Sequence, residues 1–140
     1  MSLTYLLDTN IVSEPLRPTP NPAVLNRLEQ RQGTLAIPSV VWHELLFGCY
    51  RLPRSRKRRA IETYLHEVVA LALPILSYDE RAAAWHATER ARLTGAGKTP
   101  SFADGQIAAI AVANELILVT ANLSDFANFR DVQIENWIES

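Results

Sequence analysis

Four acids stand where their neighbours would let them do chemistry: Asp8, Glu44, Asp104 and Asp125. Asp8 ends the apolar run Leu6-Leu7, and Asp125 follows Thr120, itself at the end of Leu116-Ile117-Leu118-Val119. Glu44 lies within Val41-Trp42-His43-Glu44-Leu45, and Asp104 opens a stretch that is apolar from Ile107 to Val112. Four carboxylates gathered without matching cations repel one another, and a divalent ion relieves that repulsion. Magnesium and manganese prefer such hard oxygen ligands, take only a few carboxylates and keep several waters. The remaining positions suit phosphate oxygens and an attacking water, whose pKa such a metal lowers. Zinc chemistry is not indicated, because His43, His66, His86 and the single Cys49 show no zinc-ligand spacing.

Each acid also has a plain structural reading. Asp8 can cap a helix starting at Thr9 or Asn10. Ser101-Phe102-Ala103-Asp104 fits a capping box, and acid near a helix N-terminus suits the dipole. Asp125 can turn the segment before Phe126. Glu44 fits least well, because it is expected to be buried in an apolar helix, where an unpaired carboxylate is expensive. An arginine from the following basic run is the rival to a metal as its partner.

The elements that must hold these acids alternate. A strand is expected at residues 3–7. Asn21-Pro22 reads as N-cap and first helical residue, with Gly33 closing that helix. A strand at 35–37 follows, then a helix capped by Ser39 with Trp42, Leu45, Leu46 and Cys49 on one face. Another helix spans about 56–71, carrying Ile61, Leu65 and Val68, before a strand at 73–76. Ser77 with Glu80 suggests a capping box. A Gly-rich loop at 94–100 leads to a buried helix at 102–114. A strand at 116–119, a short helix at 122–128 and a strand at 132–134 finish the chain. Short apolar strands alternating with helices indicate a parallel sheet covered on both faces. The fold class expected is therefore α/β, a three-layer α/β/α domain around a parallel sheet of four to five short strands. Ligands bind such sheets outside the carboxyl ends of the strands.

Composition sets the outer bounds. The chain has 140 residues, 48% hydrophobic and 21% charged, with 14 Lys+Arg against 15 Asp+Glu. One globular domain is the expectation. The formal charge of −1 excludes a uniformly basic nucleic-acid binder but not a local basic patch. Such a patch is visible: Arg51, Arg54, Arg56, Lys57, Arg58 and Arg59 fall within nine residues directly after the helix of Glu44. Clustered cations suit phosphate backbones, so these six are candidate RNA-binding residues. Gly95-Ala96-Gly97-Lys98 lacks the spacing of a phosphate-binding P-loop. Trp42, Trp85 and Trp137 are expected in the core, with core packing also favoured for Phe47 and Tyr50. A lone cysteine fits a reducing compartment. No apolar run approaches the roughly 20 residues of a membrane span, and the first residues do not read as a signal peptide. A cytoplasmic protein with no membrane association is expected.

Four segments occur in order: Leu6-Leu7-Asp8-Thr9-Asn10, Val41-Trp42-His43-Glu44-Leu45, Pro100 to Ala111, and Val119-Thr120-Ala121-Asn122-Leu123-Ser124-Asp125-Phe126. This set resembles the PIN-domain ribonucleases, and within them the VapC/FitB-like toxins of bacterial toxin–antitoxin pairs. The resemblance spans nearly the whole chain and implies one PIN domain over residues 1–140. Asp8, Glu44 and Asp104 match the family's three core metal-binding acids, and Asp125 the more variable fourth. Thr120, Asn122 and Asn10 match supporting positions: Thr120 bonding a carboxylate or metal-bound water, Asn122 shaping its loop, Asn10 supporting the loop after Asp8. The resemblance implies a Mg²⁺- or Mn²⁺-dependent endoribonuclease leaving a 5′-phosphate. It also implies a cognate antitoxin, a homodimer and a higher toxin–antitoxin assembly on DNA through the antitoxin. Two rivals remain at this point. A haloacid-dehalogenase-like phosphatase shares the strand ending in Asp, but has a second Asp where this chain has Asn10. A PIN module that binds RNA or protein without cutting is the other.

Overall fold

The computed structural model describes residues 2–138. Five short strands are present: β1 (Tyr5–Leu7), β2 (Leu35–Pro38), β3 (Ile75–Leu76), β4 (Ile117–Val119) and β5 (Ile134–Glu135). They form one parallel sheet in the order β3-β2-β1-β4-β5. The helices are α1 (Thr9–Val12), α2 (Pro22–Gln30), α3 (Ser39–Tyr50), α4 (Arg56–Tyr64), α5 (Ala70–Ala72), α6 (Glu80–Gly95), α7 (Phe102–Ala113) and α8 (Leu123–Phe126). The expected α/β architecture, with helices flanking a parallel sheet of up to five strands, is the one observed.

β1 and β2 are buried at every residue, as strands covered on both faces should be. Leu6 pairs with Ala36 on one side and with Leu118 on the other, which makes β1 the centre of the sheet. The chain moves outward from β1 to β2 and β3, then crosses back to β4. The strand order therefore reverses between β1 and β4, and the cleft forms at their carboxyl ends.

Several local readings shift. Asn21 caps α2 as expected, its Oδ1 accepting from Ala23 N at 2.9 Å and Val24 N at 3.2 Å, with Pro22 at the first helical position. α2 ends at Gln30, and Gly33, at φ +86°, serves the turn into β2 rather than the helix end. Ser39 does not cap α3. Pro38 occupies the cap position, because β2 runs directly into the helix without a spare residue. Asp79, not Ser77, caps α6 by accepting from Ala82 N at 3.0 Å. The long helix expected at 56–71 is interrupted by a π-helical turn at Leu65–Val69. Leu65 and Val69, four residues apart across this turn, are buried, and Val68 faces out.

Trp137 is fully buried and meets Tyr5 edge to face at 5.3 Å, with the Arg31 guanidinium over both rings. Trp42 and Trp85 are half-buried against the core. Phe47 and Tyr50 are not core residues: they lie 59% and 46% exposed on α3, outside the buried stripe of Val41, Leu45 and Cys49. Among the described residues, no helix is long and apolar enough to cross a membrane.

The Asn21 cap has a measurable value. Asn21→Ala is expected to cost about 1 kcal/mol in urea denaturation, and Asn21→Ser to recover most of it. An unchanged midpoint for the alanine variant would show that Pro22 alone fixes the start of α2.

Candidate active site

Asp8 is positioned by the sheet itself. Its backbone N–H donates to Val119 O at 2.9 Å, which extends the β1–β4 pairing to the residue that leaves β1. The side chain then caps α1, Oδ1 accepting from Thr9 N at 2.8 Å. Oδ2 accepts from the buried Thr120 hydroxyl at 2.8 Å, across the switch point from the end of β4. Asp8 is thus a helix cap and a buried acid in the cleft at once. Burial pushes its carboxyl above the usual carboxylate range; the Thr120 and Thr9 hydrogen bonds oppose this, and the charges of Glu44 and Asp125 add to it.

Glu44 corrects the expectation. It is exposed on α3, not buried, because the inward stripe of that helix runs through Val41, Leu45 and Cys49. The Thr9 hydroxyl donates to its Oε2 at 3.0 Å, so the residue after Asp8 reaches across to α3 and holds Glu44. No arginine from the basic run neutralises it among the described residues.

Asp104 lies in the first turn of α7, where the Ser101 hydroxyl accepts from its backbone N–H at 3.1 Å. Desolvation raises its carboxyl above the ordinary range; Ser101 hydrogen bonding opposes this, and the charges of Asp125 and Asp8 add to it. Asp125 is exposed on α8 and shares with Asp104 the wall of a hollow of about 470 Å³, with Lys98, Ser124 and Asn128 on its rim.

The supporting residues have defined partners. Thr120 Oγ1 also accepts from Asn122 N at 3.0 Å, folding the turn after β4. Asn122 takes part through its backbone, and its side chain makes no cap bond to α8. Asn10 Oδ1 accepts from Ala121 N at 3.1 Å, so it ties down the loop after β4 rather than the one after Asp8.

The structure therefore brings Asp8 into electrostatic reach of Glu44 and Asp125, and Asp104 into reach of Asp125 and Asp8. Among the described residues no ion pair reaches any of the four acids, and no three His, Cys, Asp or Glu are already gathered as a ligand set. This oxygen-only, unneutralised arrangement fits Mg²⁺ or Mn²⁺, which bind through one or two carboxylates and complete their shell with water and phosphate. The basic run is divided. Arg58 is engaged with Glu62 Oε1 at 2.9 Å and Leu52 O at 3.1 Å, over the Tyr50 ring. Arg54 and Arg59 line a hollow with it, while Arg51 lies over the Phe47 ring. Arg56 and Lys57 are exposed.

Sequence reasoning missed three residues. Thr9 bridges to Glu44, and only the tertiary fold reveals that. His86 and Glu89 are buried on α6. The Glu89–Arg92 spacing was a legible helical pair, whereas nothing local marked His86.

Comparisons with known proteins place the chain in a family. The PIN-domain family profile matches residues 5–132. The chain is 34% identical over 137 residues to a Haemophilus influenzae protein named Ribonuclease VapC2, covering 97% of this chain and 99% of that one. It is 30% identical to a tRNA(fMet)-specific endonuclease VapC of Shigella flexneri, covering 96% and 98%. Among solved structures, FitAcB from Neisseria gonorrhoeae superposes with a TM-score of 0.85 at 32% identity, covering 95% of this chain and 97% of that chain. DNA-bound VapBC from Salmonella typhimurium gives 0.84 at 27% identity, covering 96% and 98%. The chain belongs to the PIN-domain family, in its VapC/FitB branch of ribonuclease toxins. The phosphatase alternative falls with that membership.

The raised carboxyl of Asp8 sets a pH dependence. The folded state holds that proton more tightly than the unfolded chain, so its stabilising contribution is full below the ordinary Asp pKa and is lost as pH rises through the folded value. Asp8→Asn in EDTA is therefore expected to melt above wild type at pH 7, the gap closing as pH falls toward the carboxylate range. A gap independent of pH would show that Asp8 carries no net burial cost.

Proposed function

We propose that residues 1–140 form one PIN domain acting as a Mg²⁺- or Mn²⁺-dependent endoribonuclease toxin, with Asp8, Glu44, Asp104 and Asp125 as its metal-binding and catalytic acids. The observation that carries this reading is the electrostatic approach of the acid at the end of β1 and those on α3, α7 and α8, with no ion pair to any of them among the described residues. Bound divalent metal would supply charge neutralisation, an acidified water and stabilisation of the leaving 3′ oxygen. The chain's own part is positional. Thr120 fixes one oxygen of Asp8 and leaves the other on the cap of α1. Thr9 holds Glu44 toward Asp8. Ser101 fixes the turn that carries Asp104. Asn10 and Asn122 hold the loop between Thr120 and Asp125. No histidine is needed as base, and His43 stacks on Phe47 at the surface of α3.

The substrate is RNA, cut to leave a 5′-phosphate. Arg51, Arg54, Arg56, Lys57 and Arg59 supply backbone contacts, and Arg58 holds the segment's shape. The partner is a cognate antitoxin, with a toxin homodimer and an assembly that reaches DNA through the antitoxin. FitAB and VapBC relatives crystallised on DNA support this reading. The compartment is the cytoplasm.

Asp8→Asn, Glu44→Gln and Asp104→Asn are each expected to abolish Mg²⁺-dependent cleavage of total RNA while far-UV circular dichroism stays unchanged. Equal cleavage by wild type and all three variants would sink the assignment, and RNA binding without cleavage by wild type would favour a non-catalytic module. Charge reversal at Arg54 and Arg59 is expected to reduce the slope of log affinity against log salt by about 2. An unaltered slope would make the basic segment a surface feature only.

A further inference from the structure

The interior stripe of α6 is polar where a core helix is ordinarily apolar. Ala82, His86, Glu89 and Leu93 all face inward. His86 is 1% exposed, and its Nδ1 lies 2.8 Å from the Tyr78 hydroxyl. Its Nε2 has no hydrogen-bond partner and lies against the backbone of Gly105, the residue after Asp104. A Cβ on Gly105 would overlap Nε2 and stand 2.7 Å from Cδ2 and 2.9 Å from Cε1. Phe102, the first residue of α7, closes on the same imidazole at 4.9 Å between ring centres. The first turn of α7 thus rests on a flat ring rather than on an adjustable aliphatic side chain.

One turn further along α6, Glu89 accepts from Arg92 Nε and Nη2, both at 2.8 Å. It also accepts from Arg130 N at 2.7 Å, and Arg92 donates to Asn128 O at 2.9 Å. This pair, with Glu89 buried and Arg92 half-buried, grips the chain immediately after α8. A single rigid helix therefore touches both segments that carry Asp104 and Asp125.

We propose that His86 and Glu89 are positioning residues: through Gly105 and the turn at 128–130 they set the spacing between Asp104 and Asp125. The inference rests on the metal-site reading above. Asp125 sits on a four-residue helix and is exposed, so α8 alone gives it little restraint. The Glu89–Arg92 grip supplies that restraint from outside, and His86 fixes the depth of the opposite wall.

The test uses the full chain and Mn²⁺ alone, measured by titration calorimetry without RNA, followed by kcat and KM for RNA cleavage. Gly105→Ala is expected to weaken Mn²⁺ binding about 10-fold or more, the range usual for groups that orient metal ligands. It should lower kcat with little change in KM. His86→Ala added to Gly105→Ala removes the overlap and is expected to raise both above the Gly105→Ala values, to the level of His86→Ala alone. A folded Gly105→Ala protein with wild-type affinity and kcat, or a double variant no better than the single one, would overturn the proposal. If Gly105→Ala does not fold, His86→Ala and Glu89→Gln decide it. Each is expected to fold and to bind Mn²⁺ more weakly, and wild-type affinity in both overturns the proposal. Asp104→Asn separates the two levels. If it abolishes Mn²⁺ binding while the α6 variants leave it intact, only the positioning role fails. If it binds Mn²⁺ like wild type, the metal site itself fails, and α6 has nothing there to position.

Discussion

Everything at the cleft depends on the hydrogen bond from Thr120 to Asp8. It joins the carboxyl ends of β1 and β4, the two strands between which the sheet order reverses. A carboxylate at that depth loses most of its hydration, and a bond to a charged group recovers only about 1.5–3 kcal/mol of the loss. The residual cost is visible in the direction of the Asp8 shift, which burial still dominates. Such a group is stable in the fold because the pairing around it leaves it no alternative position. It is also left with an unmet demand for positive charge, which is the condition for taking up a cation.

The other acids are arranged around that fixed point by restraints of different kinds. Glu44 is tied to it through one exposed hydrogen bond from Thr9. Asp104 belongs to the most buried helix, α7, whose inward face from Gly105 to Ala111 is closed to solvent. Asp125 sits on four residues of helix. Burial separates them: Asp8 is buried, Asp104 half-buried, and Glu44 and Asp125 exposed. α6 adds to these restraints at its inner face, where a buried imidazole and the buried Glu89, paired with a half-buried Arg92, replace aliphatic packing. Removing one partner of such a pair leaves the other charge stranded, so Glu89 and Arg92 are best understood as a unit.

The architecture was legible wherever one strong local signal acted alone. Asn21-Pro22 started a helix because cap and first-turn chemistry agree. The apolar strands paired in parallel because nothing else can bury them on both faces. The failures arose where two signals competed or where the decisive neighbour was remote. Ser39 lost its capping role because β2 runs straight into α3. Asp79 displaced Ser77 because its carboxylate accepts from the correct amide, three residues on. Glu44 stands among apolar residues in sequence but not in space. Helical phase places Leu45 inward and Glu44 toward α1. His86 was unreadable because its partner, a glycine hydrogen surface on α7, has no signature of its own.

The near-neutral total charge conceals a separation that the fold makes spatial. Acids at the end of β1 and on α3, α7 and α8 come within electrostatic reach of one another at the strand ends, while the cations of the 51–59 segment follow α3, the helix that carries Glu44. Arg58 is withdrawn from that set by Glu62 and the Leu52 carbonyl, and this shapes the segment so that its neighbours point outward. A polyanion approaching this face meets a carboxylate cluster that repels it and a basic segment that attracts it. Cation uptake by the cluster removes the repulsion without touching the attraction. On the proposed function, metal binding and RNA binding would be coupled through long-range charge, and added salt would weaken the coupling by screening both.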